Sequence, residues 1–139
     1  MPNNDSNKKL FLEWLDKAKD DELSIGAILK ENGAASTACF LSQQMAEKYL
    51  KGFLAFYGKL APQKHDLLFL LTLCEQINPD FDKLQKSAQY LNKFYIITRY
   101  PADYPEGFSF AQAKEAFGYA QTVKDLVNEL LFHKIREGT

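Results

Sequence analysis

The stretch STACFLSQQMAEKYLKGFLAFY, residues 36–57, sets the architecture of this chain. Ala38, Leu41, Met45, Tyr49, Phe53 and Phe56 recur three or four residues apart, the period of one helix face. Cys39, Ala46, Leu50 and Leu54 widen that stripe over most of the circumference. A helix this apolar belongs at the centre of a bundle or on a subunit interface. Its polar residues are few and grouped: Gln43, Gln44, Glu47, Lys48 and Lys51.

Working upstream, residues 7–32 carry Phe11, Trp14, Leu15, Ala18, Ile25, Ile28 and Leu29 at helical spacing, with Lys and Asp between them. Asn32-Gly33 is a natural stop, since both residues tolerate the left-handed conformation at a helix end. Downstream, Gly58 ends the central helix and residues 59–64 form a connector. A short third helix follows, with Leu67, Leu70, Leu71 and Cys74 inward, until Asn78-Pro79 breaks the pattern. A fourth helix is expected over residues 81–97, with Leu84, Ala88, Leu91, Phe94 and Tyr95 as its apolar set. Residues 99–107 hold two prolines and a glycine and cannot be regular helix. The last helix opens with Ser109-Phe110-Ala111-Gln112, a capping-box pattern. Ala113, Ala116, Phe117, Ala120, Val123, Val127 and Leu130 carry its core face to about residue 135. No strand alternation or repeat interrupts this series. The expected fold is all-α: an antiparallel bundle of four long helices and one short one, with a polar tail at 1–8 and a single domain at 9–136.

At 139 residues the chain can bury a core without disulfides or metals. The formal net charge of −1 supplies no global field for nucleic acid, so any polyanion site must be a local cluster. Cys39 and Cys74 fall in apolar helical stretches and read as buried free thiols. The only histidines, His65 and His133, form no metal-ligand cluster with them, and neither metal nor cofactor is expected. The N-terminus has no apolar signal core and no run is long enough to span a bilayer, so a cytoplasmic protein is expected.

Three constellations could carry chemistry. Gln44, Lys48 and Lys51 lie at i, i+4 and i+7 on the central helix, a spacing that suits phosphates and polar edges; the bland reading is a solvated face with a Glu47–Lys51 ion pair. In Lys64-His65-Asp66-Leu67, Asp66 or His65 is placed to cap the third helix, which outweighs a ligand role. Arg99, Tyr100, Asp103 and Tyr104 sit in a proline-stiffened corner, where a guanidinium can meet phosphate and the tyrosines can stack on a base. Equally, Arg99 could cap its own helix while the tyrosines pack over the core.

Four segments in order resemble the HEPN family: residues 38–52, then Lys64-His65-Asp66-Leu67, then Thr98-Arg99-Tyr100-Pro101, then Ala113 and Ala116-Phe117 leading to Ala120. The likeness covers nearly the whole chain after the tail. It implies a bundle of four to five helices, like the substrate-binding subunits of nucleotidyltransferases, that commonly dimerises. It also implies a partner, a minimal nucleotidyltransferase, often within a toxin–antitoxin module.

Several HEPN branches are metal-independent ribonucleases that use an arginine followed at short spacing by a histidine. Arg99 falls at that arginine, but Tyr104 stands where the histidine would be. An ordinary tyrosine, with a pKa near 10, is a poor proton shuttle at neutral pH. The resemblance therefore points to a non-catalytic protein binding a nucleotide, RNA or a nucleotidyltransferase through Gln44, Lys48, Lys51, His65, Arg99, Tyr100, Asp103 and Tyr104. The alternatives are a ribonuclease using Arg99 with His65, Tyr104 or a residue from a second copy, and a pure dimerisation module.

Overall fold

The computed structural model describes residues 4–97 and 107–137. All the regular structure in them is helical: α1 (Asn4–Lys30), α2 (Ala35–Phe56), α3 (Leu67–Ile77), a 3-10 turn (Pro79–Leu84), α4 (Gln85–Asn92), α5 (Phe94–Ile97) and α6 (Phe110–Glu137). α1 already begins at Asn4, so the polar residues after it belong to the helix and not to a separate tail.

α1 and α2 pair as a helical hairpin. The stop between them forms as the sequence expects: Asn32 takes a positive φ of 55°, and the Gly33 amide reaches back to the Ile28 carbonyl at 2.8 Å. That five-residue return satisfies a carbonyl the helix end would leave bare. Gly52 of α2 lies directly against α1. A β-carbon there would stand 3.1 Å from the Trp14 Cβ and 3.2 Å from the Phe11 ring.

α2 packs on α1, α3, α4, α5 and α6, which explains why it is apolar nearly all round. Every residue from 49 to 55 is buried, so all sides of this part of α2 have partners within the same chain. Much of the apolar surplus is thus used inside the fold, against the helices packed around α2.

The fourth helix is not the continuous span expected from residues 81–97. Asn78 caps a 3-10 turn by accepting from the Asp80 amide, with Pro79 at its first position. At Lys93, between α4 and α5, the helical hydrogen bonding lapses for one residue while the backbone stays in the right-handed helical region (φ −67°, ψ −25°). Leu84, Ala88, Leu91 and Phe94 stay buried through these changes, so the apolar pattern survives while the helix does not. Three helices are long, α1, α2 and α6; α3 and α4 are short. The Ser109 capping box forms in full, with the Gln112 amide donating to Ser109 Oγ at 3.0 Å and the Ser109 amide to Gln112 Oε1 at 2.9 Å.

Burial pushes the Cys39 thiol up to about 11 and the Cys74 thiol higher still, so both remain protonated packing groups. No helix among the described residues is long and apolar enough to cross a membrane. Nor do three or more His, Cys, Asp or Glu side chains gather among them as metal ligands would.

Candidate functional site

Gln43, Glu47 and Lys51 follow one another at four-residue intervals along α2, and all three are buried. Helical spacing stacks them into a polar ladder. Lys51 Nζ donates to Glu47 Oε2 at 3.0 Å, and Gln43 Nε2 donates to Glu47 Oε1 at 3.2 Å. Gln43 Nε2 also donates to the His65 carbonyl at 3.0 Å, while its oxygen accepts from Gln44 at 2.6 Å. The ladder therefore pins the connector after α2 to the body of the helix.

His65 completes it. Its Nδ1 lies 3.0 Å and 3.1 Å from the two Glu47 oxygens. An ionised carboxylate only accepts, so it holds the proton on Nδ1 and turns Nε2 outward. Nε2 has no hydrogen-bond partner among the described residues, and the side chain is 44% exposed. Tyr95 of α5 stacks on the His65 ring at 4.1 Å and 15°, and Tyr95 in turn lies 6.3 Å and 27° from the Phe40 ring of α2. His65 and Tyr95, together with Lys64, Asp66 and Asn92, line a cleft of about 360 Å³.

Asp66 caps α3, as the sequence suggests, by accepting from the Leu68 and Phe69 amides at 3.0 and 3.3 Å. Asn92 of α4 donates to the same Asp66 oxygen at 3.0 Å and accepts from the Leu67 amide at 2.7 Å. The start of α3 is thereby locked to the end of α4. Lys64 reaches across the Phe69 ring, 4.4 Å from its centre.

The expected row of Gln44, Lys48 and Lys51 does not form one open face. Lys48 swings to α1 and pairs with Asp21 at 2.7 Å, while Lys51 turns inward to Glu47, 5.8 Å from the Trp14 ring centre. Gln44 is occupied with Gln43. The Glu47–Lys51 pair exists, but it is buried and not the solvated pair of the bland reading: its side chains are 7% and 8% exposed. Burial raises the Asp21 carboxyl above its ordinary range even though Lys48 pulls it down. Arg99, Tyr100, Asp103 and Tyr104 lie outside the described residues. The nearest described neighbour in the chain is α5, whose Tyr95 touches His65.

Sequence reasoning missed Gln43, Asn92 and Tyr95 as parts of the site, and took Glu47 only as the partner of Lys51. A usable signal existed for two of them: Gln43 and Glu47 share a helix face with Lys51, on a helix with little other polar surface.

Comparison with known proteins agrees with this architecture. The family model for the HEPN domain matches residues 11–130. The crystal structure of TT1696 from Thermus thermophilus is 32% identical with a TM-score of 0.76, over 87% of this chain and 98% of that one. The crystal structure of ST0689, described as an archaeal HEPN homologue, is 31% identical with a TM-score of 0.70, over 86% and 96% of the two chains. None of the curated proteins matches. The match runs from the middle of the first helix almost to the end of the last, and the chain belongs to the HEPN domain family.

Proposed function

We propose that this HEPN-domain protein binds a nucleotide or single-stranded RNA without cleaving it, seating one base on the His65 ring. The observation that carries this reading is the Tyr95–His65 ring stack at the cleft, with His65 held by a buried carboxylate. A base added to such a stack meets a platform that needs no ordering. Base stacking on aromatic side chains contributes about 1–3 kcal/mol per base. The cleft is at the small end of ligand pockets, which suits one nucleotide better than two. Lys64 is the described cation at its rim, and Arg99 and Tyr100 follow shortly after α5 in the sequence. Lys48 and Lys51, each committed to a carboxylate, are left out of the phosphate contacts.

The test is the affinity of the purified protein for adenosine monophosphate and a short single-stranded RNA. His65→Ala should weaken both by roughly tenfold, the equivalent of losing one stacked base. Lys48→Ala should leave them nearly unchanged. Unaltered binding by His65→Ala would put the ligand elsewhere.

A second reading, metal-independent RNA cleavage, is favoured by one feature. Glu47 orients His65 so that Nε2 faces the cleft, as a general base would. End-labelled RNA incubated with chelator should then be cut by the wild type and spared by both His65→Ala and Arg99→Ala. Association with a minimal nucleotidyltransferase in a toxin–antitoxin pair, and homodimerisation, rest on the family likeness alone. Co-expression with the neighbouring reading frame and light scattering test them.

A further inference from the structure

We infer that the cleft reads the sugar of its ligand: the second carboxylate oxygen of Asp66 accepts the 2′-hydroxyl of a ribonucleotide, so ribonucleotides bind in preference to deoxyribonucleotides. This rests on the nucleotide reading above and names the substrate class for the same site.

The asymmetry of Asp66 is the starting point. Three donors, the Leu68 amide, the Phe69 amide and Asn92 Nδ2, all converge on Oδ1. Oδ2 accepts from none of the described residues, although Asp66 lines the cleft. Because Oδ1 is held from two elements, α3 and α4, Oδ2 is fixed in direction before any ligand arrives. An acceptor locked in this way loses little side-chain freedom on binding.

Its chemistry also limits what it can meet. The amino end of α3 is already occupied by a carboxylate, which satisfies its amides and offsets its positive dipole. A phosphate at that spot would face a negative charge. A hydroxyl donor would not. The parallel N–H donors of a guanine edge pair best with both oxygens of a carboxylate, and with Oδ1 already taken the remaining oxygen suits one hydroxyl better. Asp66 directly follows His65 in the chain, so a base on His65 brings its own ribose to the same rim. Lys64, on the other side of His65 in sequence, is left for the phosphate. The 2′-hydroxyl is the group by which proteins distinguish the two sugars.

The experiment titrates the full chain, labelled with nitrogen-15, with adenosine monophosphate, 2′-deoxyadenosine monophosphate and uridine monophosphate. The Leu68 and Phe69 amides and the Asn92 side-chain amide all bond to Asp66 and report locally. Both ribonucleotides should bind and move these signals. The deoxynucleotide should bind roughly three- to tenfold more weakly, the range set by one hydrogen bond to a partly solvated charged acceptor. Asp66→Asn keeps a good N-cap and an oxygen for the three donors, so it should fold normally and close the gap between the sugars.

Equal affinity for the two adenine nucleotides would overturn the inference and leave the nucleotide reading standing. A preference for adenine over uracil with no effect of the sugar would also overturn it, by assigning Oδ2 to the base amine. If no nucleotide binds at all, the proposed function itself falls and this inference falls with it.

Discussion

Removing the Glu47 carboxylate should be among the most damaging single changes available in this protein. Glu47→Ala takes away the acceptor shared by Gln43, Lys51 and His65. His65 is exposed enough to turn to water, and Gln43 keeps the His65 carbonyl. Lys51 has no such recourse: it is 6% exposed and its ammonium would stay in the interior without a counter-charge. Breaking a buried ion pair from one side costs about 3–5 kcal/mol. Set against a total stability of about 5–15 kcal/mol for a domain of this kind, the variant folds but unfolds more readily. The midpoint of thermal unfolding should fall on the order of 10 °C. Urea denaturation followed by helical circular dichroism measures the loss directly, as a shift in midpoint at unchanged slope. The companion variant separates charge from shape. Glu47→Leu combined with Lys51→Met removes both charges at similar volume and should lose much less than the single change. A single-variant loss below about 1 kcal/mol, the size expected of a surface pair, would refute the reasoning.

Other consequences are smaller and independent. Asp21 has a native pKa raised by burial, so its contribution to stability is fully present below the unfolded value near 4 and is lost as pH rises through the raised native one. The stability of wild type relative to Asp21→Asn should therefore be greater at about pH 4 than at pH 7, as measured by urea unfolding at both. Gly52→Ala gains up to about 1 kcal/mol of helix propensity but forces a β-carbon against Trp14 and Phe11, at a cost of about 1–3 kcal/mol. A net loss by thermal melting is expected, and a gain would show that the α1–α2 seam gives way easily. Ser109→Ala removes half of a capping box that is fully formed and should cost about 1 kcal/mol by the same assay, with no change in ligand affinity.

The sequence already carried the features that depend on nearest neighbours. The left-handed stop at Asn32, the Asp66 cap and the Ser109–Gln112 box each involve residues within a turn of one another, and local stereochemistry decides them. The core positions were also legible, because periodicity reports which side of a helix is apolar. The fate of the polar residues was not. Lys48 meets Asp21 across 27 positions, and nothing local says that a lysine on α2 will find an acid on α1. Likewise, the Glu47–Lys51 spacing predicts an ion pair but not that the pair is covered. The one-residue lapse at Lys93 had no sign in sequence, since neither proline nor glycine marks it and the backbone there stays helical. The site is built from contacts of that long-range kind: His65 comes to Glu47 from a loop, and Tyr95 reaches His65 from a short helix beyond Lys93.

The position of Trp14 has a practical consequence. It is the only tryptophan in the chain, and the Lys51 ammonium sits 5.8 Å from the centre of its ring. Lys51 shares the Glu47 carboxylate with His65, so the indole lies at the far end of a short relay that begins in the cleft. An ammonium beside an indole alters its emission, and its field there depends on how tightly Glu47 holds it. Any ligand that protonates, displaces or re-orients His65 changes that hold. Trp14 emission is therefore expected to shift when a ligand engages His65, a change that an ordinary cuvette would read without dye or label.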